Sequence, residues 1–157
     1  MSLPDWLKFG WLKEHKTSRQ EIADLFAVAD RDLKACRTPD LVSDWQFNIA
    51  YNAALQLASA ALAAAGYEAE RANHHYRVIH SLEFTLGVEP ALIRKFDVFR
   101  KKRNITDYER ADTLSETEAE EMRQLAETLR SNVDAWVRKN HPQFAPKLPR
   151  ASNSTRR

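Results

Sequence analysis

The chain has a single cysteine, three glycines and no stretch in which apolar and polar residues alternate over any useful length. Cys36 alone excludes an internal disulfide and leaves no cysteine pair to ligate a metal. It falls on an apolar helical face, where cysteine behaves as a small core residue, and a reduced, cytoplasmic setting is the expectation. No Gly-rich phosphate loop is present, and neither is a nucleophile-elbow or zinc-protease motif. No cofactor is expected. Long apolar runs are missing too. The longest uncharged stretch, residues 45–67, is long enough to span a bilayer, but it carries Gln46, Asn48, Asn52, Gln56 and Ser59 and its apolar content is largely alanine. A central packed helix accounts for it better than a membrane span. The opening MSLPDWLKFGWLKEHK is acidic at Asp5 and lacks a continuous apolar segment, which speaks against a signal peptide.

Charge of one sign is also absent. Lys and Arg number 24 against 22 Asp and Glu, a net charge of +2, so whole-chain charge argues neither for nor against nucleic acid and the distribution must decide. With 157 residues, 43% hydrophobic and 29% charged, the chain has the balance of one globular domain with room for a core.

What is present is helical. After an irregular arm over residues 1–17, Ser18-x-x-Glu21 predicts a capping box for a helix to about Arg37, with Ile22, Leu25, Phe26, Ala29, Leu33 and Cys36 on its apolar face. Pro39 breaks the chain, and a second helix from Asp40 or Ser43 ends at Gly66, suited to a left-handed cap. A shorter helix covers about Arg71 to Thr85. Pro90 opens a fourth, with Leu92, Ile93, Phe96 and Phe99 as its stripe. Ser115-x-x-Glu118 predicts a second capping box for a last helix carrying Met122, Leu125, Ala126, Leu129, Val133 and Trp136, ended by His141-Pro142. Residues 18–141 thus predict an all-α, up-and-down bundle of four to five helices, followed by a basic, disordered tail over 142–157.

The fourth helix holds an anomaly. At about 100° per residue, Arg100 and Arg103 fall within about 60° of Phe96, inside the apolar sector, and Asp107 joins them if the helix persists. Lys101 and Lys102 point away. Charges that extend a core stripe require partners or access to solvent. Two interpretations fit: an i,i+4 pair of Arg103 and Asp107 with both arginines snorkelling from a helix end, or an anion site in which arginine's planar fork meets phosphate. Residues 94–110 hold seven basic and three acidic side chains, and residues 111–127 hold six acidic and one basic. That contrast equally suits self-association between protomers. The second helix carries a related stripe, Asn48, Asn52, Gln56 and Ser59, which is either a polar groove, a subunit interface or the helix's solvent strip.

The histidines offer less. His74 and His75 are adjacent and His80 follows at poor spacing for two ligands on one face; His80 and Glu83 share a face, but one pair makes no metal site. No metal is expected. Trp6, Trp11, Trp45 and Trp136 are expected as packing anchors, with base stacking on Trp6 or Trp11 as the alternative.

From about residue 45 to 133 the chain resembles the HEPN family of small helical-bundle domains. The resemblance rests on AYNAALQLASAALAAAGYEAE (50–70), HHYRVIHSL (74–82), RKKRNITDYER (100–110) and ETEAEEMRQLAETL (116–129), in that order. HEPN ribonucleases carry an arginine, a following polar residue and a histidine a few positions on, and two such motifs meet across a homodimer to cleave RNA. Here the arginine matches at Arg103 and the polar residue at Asn104, but the histidine position holds Tyr108. Histidine titrates near neutral pH and exchanges protons readily. Tyrosine, with an ordinary pKa of about 10, is a poor base that still hydrogen-bonds or stacks. The Asp-Tyr ending looks like a non-ribonuclease variant of the family, of a kind that accompanies minimal nucleotidyltransferase partners in toxin–antitoxin-like pairs.

The resemblance therefore implies a homodimeric, non-catalytic module that binds RNA or a nucleotide, with no membrane association. Arg103 would contact phosphate, Asn104 orient it and Tyr108 hydrogen-bond or stack, with Arg100 and Lys101 adding charge and Asn48, Asn52, Gln56 and Asp107 as a supporting polar stripe. The alternatives are a metal-independent endoribonuclease using Arg103 with Tyr108 or an unexpected histidine, and a pure protein-interaction module.

Overall fold

The structure, a computed structural model, describes residues 1–108 and 114–147, the side chains of 104–108 excepted. Among the described residues the fold is mostly helical, with six α-helices and one pair of three-residue strands. Five of the helices answer to the expected ones: α2 (Arg19–Ala35), α3 (Ser43–Ala64), α4 (His74–His80), α5 (Pro90–Tyr108) and α6 (Glu116–Asn140). The sixth, α1 (Leu3–Lys8), lies where an irregular arm was expected. Ser2 accepts a hydrogen bond from the backbone N–H of Asp5, and a proline stands in the first turn, both start signals for a helix. Beyond Gly10, which holds φ at +77°, strand β1 (Leu12–Glu14) pairs antiparallel with β2 (Tyr67–Ala69) in the register Leu12↔Ala69, Lys13↔Glu68, Glu14↔Tyr67. Strands this short carry no readable period. The expected disordered tail begins with a 3-10 turn at Pro142–Phe144; residues 148–157 lie outside the described residues.

Helix α3 is central. Thirteen of its 22 residues are buried, most of them alanine, and it packs chiefly against α6 on one side and α2 on the other. Alanine forms helix without loss of side-chain entropy and lets its neighbours approach closely. Helix α6 begins with a complete capping box, Ser115 accepting from the Glu118 N–H while the Glu118 carboxylate accepts from the N–H of Ser115. It buries Met122, Leu125, Ala126, Leu129, Val133 and Val137. At α2 only half the expected box forms. Ser18 caps the Glu21 N–H, but the Glu21 carboxylate turns to Thr17 and His15 at 2.7 and 2.8 Å.

Helix α5 lays Ile93, Phe96 and Phe99 into the core. Phe99 meets Phe47 edge-on at 5.3 Å between ring centres, and Phe96 meets Tyr51 edge-on at 5.8 Å. Edge-to-face contacts of this kind fix ring orientation as well as burying area. They dock α5 on the first half of α3 and carry its next two turns to the Tyr51 ring.

Candidate functional site

Tyr51 is fully buried, and three elements converge on it. Its ring meets Phe96 of α5 in an edge-to-face contact. Two turns later on the same helix, the Arg103 guanidinium lies 5.1 Å from the ring centre, within cation–π range. Its hydroxyl lies 3.1 Å from Nδ1 of His75 on α4. Arg103 thus continues the stripe of Phe96 and Phe99 because the surface it meets there is an aromatic face, which suits a cation as it suits a phenyl ring.

Burial drives the Tyr51 phenol well above the ordinary tyrosine range, although Arg103 and Arg100 pull the other way, so it stays protonated. Burial likewise lowers the His75 pKa, and its neighbours Arg103, His74 and Arg100 lower it further. The site therefore presents a neutral imidazole and a neutral phenol beside fixed positive charge.

One turn before Arg103, Arg100 donates from Nε to Asp97 Oδ1 at 2.8 Å, and Lys101 Nζ lies 3.7 Å from the other carboxylate oxygen. Burial raises the Asp97 pKa, but the Arg100 hydrogen bond and charge outweigh it and hold the carboxyl below its usual range. His80 Nε2 lies 3.8 Å from the same carboxylate, too far for a hydrogen bond, and its ring stacks on Tyr76 at 4.1 Å. Burial keeps His80 below the usual imidazole range against the pull of Asp97.

The expected polar stripe goes elsewhere. Asn52 donates to the buried Asp32 of α2 at 2.6 Å, and Gln56 reaches back toward Asn52 at 3.5 Å. Gln56 and Ser59 line a separate cavity of about 200 Å³ with His15, Glu21, Glu68 and His74. Asn48, on the same face as Asn52, keeps its Oδ1 buried without a hydrogen bond. Of the stripe, Asn52 serves the α2–α3 contact. The side chains of Asn104, Asp107 and Tyr108 lie outside the described residues.

Four acidic side chains in the first half of α6 are paired within the chain. Glu118 pairs with Lys102, Glu121 with Lys95, and Glu120 and Glu127 with Arg123. Among the tryptophans, Trp6 is buried while Trp45 is 62% exposed, so Trp45 is no packing anchor. No helix among the described residues is long and apolar enough to cross a membrane, and among them no three His, Cys, Asp or Glu side chains are grouped to hold a metal ion.

Sequence reasoning named Arg100, Lys101 and Arg103 but passed over Tyr51, His75 and Asp97. The signal available was the order of segments, since Tyr51 and His75 lie in two of the stretches that carry the resemblance. No family model, no curated protein and no solved structure matches the chain.

Proposed function

We propose that the chain is an HEPN-like helical bundle that binds the phosphate of RNA or a nucleotide without cleaving it. Arg103 is the principal phosphate contact, Arg100 and Lys101 add charge, and Asn104 and Tyr108 take the orienting and stacking roles that the resemblance implies. The convergence of Tyr51, His75 and Arg103 carries the proposal. Three segments that are distant in sequence, and that bear the resemblance in their order, meet where the Arg103 guanidinium lies on the Tyr51 ring and the Tyr51 hydroxyl meets His75. A guanidinium beside hydrogen-bonding groups, with Arg100 and Lys101 one turn away, attracts an anion. The same proposal carries a homodimer, a minimal nucleotidyltransferase partner and a cytoplasmic toxin–antitoxin or defence setting.

Fluorescence anisotropy with labelled nucleotides and short RNA tests it. Binding that weakens steeply with salt, and roughly tenfold or more in Arg103→Ala, is the expected result. Affinity unchanged in that variant would sink the proposal.

One observation favours a second function, metal-independent RNA cleavage. His75 supplies beside Arg103 the imidazole that position 108 lacks. In the tautomer whose Nδ1–H donates to the Tyr51 oxygen, Nε2 keeps a lone pair able to take a proton from a ribose hydroxyl. RNA cleavage abolished by both Arg103→Ala and His75→Ala would establish it; binding without cleavage would exclude it. A pure interaction module, with Arg100 and Arg103 paired to a partner's acidic α6, is less favoured because Glu118, Glu120, Glu121 and Glu127 are already paired within the chain.

A further inference from the structure

Arg77 of α4 differs from four other partly buried arginines. Arg100, Arg123, Arg130 and Arg138 each hold a carboxylate. Arg77, also partly buried, has no carboxylate within ion-pair distance among the described residues, and its Nε is buried without a hydrogen bond. Its guanidinium lies instead on aromatic rings, 3.8 Å from the centre of Trp11, 5.5 Å from Trp6 and 5.4 Å from Tyr76. A stacked guanidinium keeps its edge donors in the plane, clear of the ring it covers, so it remains able to fork onto a phosphate.

The rings continue in both directions. Trp11 is flanked at 4.8 Å by Phe9, which is 54% exposed. On the other side, Tyr76 has Arg100 at 5.6 Å from its ring centre, and Arg100 lies one turn from Arg103. Aromatic surface and guanidinium therefore alternate from the N-terminal arm to the Arg103 site. Single-stranded nucleic acid offers the matching alternation: bases, each with a stacking face, between phosphates. A duplex offers the charge but keeps its bases stacked inside. An acidic peptide offers charge without flat rings.

We propose that Arg77, seated on Trp11 beside Tyr76, is a second phosphate contact in a single-stranded nucleic-acid track that runs from Arg103 and Arg100 across Tyr76 to a base-stacking end at Phe9 and Trp11. This rests on the phosphate-binding role of Arg103 and extends it from one nucleotide to a strand of several.

The test is fluorescence anisotropy at low salt with four probes: a labelled mononucleotide, single strands of about ten nucleotides in RNA and in DNA, and a duplex of the same length. Polyglutamate serves as competitor. The strand binds at least tenfold tighter than the mononucleotide and the duplex, and polyglutamate does not displace it. Arg77→Gln and Phe9→Ala each weaken the strand about tenfold while leaving mononucleotide affinity unchanged. Arg77→Gln also lowers the salt slope by about one, and Phe9→Ala does not. Equal strand affinity in wild type and both variants overturns the track, as does equal binding of the duplex or displacement by polyglutamate. If Arg103→Ala abolishes mononucleotide binding while the track variants change nothing, the Arg103 site stands and the track falls. If the wild type binds none of the probes, both fall. Phe9 is exposed, so Phe9→Ala decides the matter even if Arg77→Gln fails to fold. RNA and DNA strands that bind alike mark a track for stacking and phosphate alone; preference for RNA adds recognition of the ribose hydroxyl.

Discussion

The hydroxyl of Tyr51 lies 3.1 Å from Nδ1 of His75, joining the centre of α3 to the first turn of α4. Tyr51→Phe deletes this bond and keeps the ring on which Phe96 and Arg103 rest. The expected cost is about 1 kcal/mol, measured by urea denaturation with an unchanged m-value. A variant as stable as the wild type would show that the bond contributes nothing net.

His75 provides a pH test. Burial, then Arg103, His74 and Arg100, hold its pKa below the ordinary value of 6.5. As pH falls below about 6.5 the unfolded chain takes up a proton that the folded chain refuses. The His75 contribution to stability is therefore complete above that pH and is lost as pH falls toward the folded midpoint. Arg103→Ala removes a repelling cation, so the His75 midpoint, followed by NMR, moves up. A midpoint that stays put would mean that Arg103 does not sense the imidazole.

Asp97 competes with any external anion for Arg100 and Lys101. Asp97→Asn breaks the 2.8 Å bond to Arg100 as a charged pair, at an expected cost of about 1–2 kcal/mol. It leaves Arg100 and Lys101 more positive toward a ligand, so phosphate-bearing probes bind several-fold tighter. Weaker binding in Asp97→Asn would show that the carboxylate's positioning of Arg100 outweighs its competition.

Ser115→Ala removes the acceptor at the head of α6, where the capping box is complete. A loss of about 1 kcal/mol in thermal or urea unfolding is expected, with no change in binding at Arg103. A larger loss would show that the α6 start also depends on Glu118 being held for Lys102.

The longer helices were legible because their signals are local. Ser115 and Glu118 are three residues apart, Pro90 marks a first turn, and Phe96 and Phe99 repeat at helical spacing. The angular position of Arg103 was legible for the same reason, and so was its need for a partner surface. Its actual neighbour, Tyr51, was not, because that contact joins residues far apart in the chain and depends on how α5 is docked by Phe47 and Phe96. The polar stripe misled for the opposite reason. Periodicity grouped Asn52 and Gln56 correctly on one face, but it cannot say which neighbour that face meets, and the neighbour is Asp32 of α2. Glu21 was read as half of a capping box and turns instead to Thr17 and His15, a choice made by the entering chain.

The three-residue ladder between Leu12–Glu14 and Tyr67–Ala69 reaches further than its length suggests. Flanking backbone bonds extend it on both sides, from His15 N–H to the Gly66 carbonyl at 2.8 Å and from Glu70 N–H to the Trp11 carbonyl at 3.1 Å. The zipper closes residues 12–69 into a ring of chain, with α2 and α3 inside and α4 starting just beyond the clasp. Trimming the first fourteen residues as a dispensable arm would open that clasp. It would also remove Trp11 from beneath Arg77, untethering the helix that brings His75 to Tyr51.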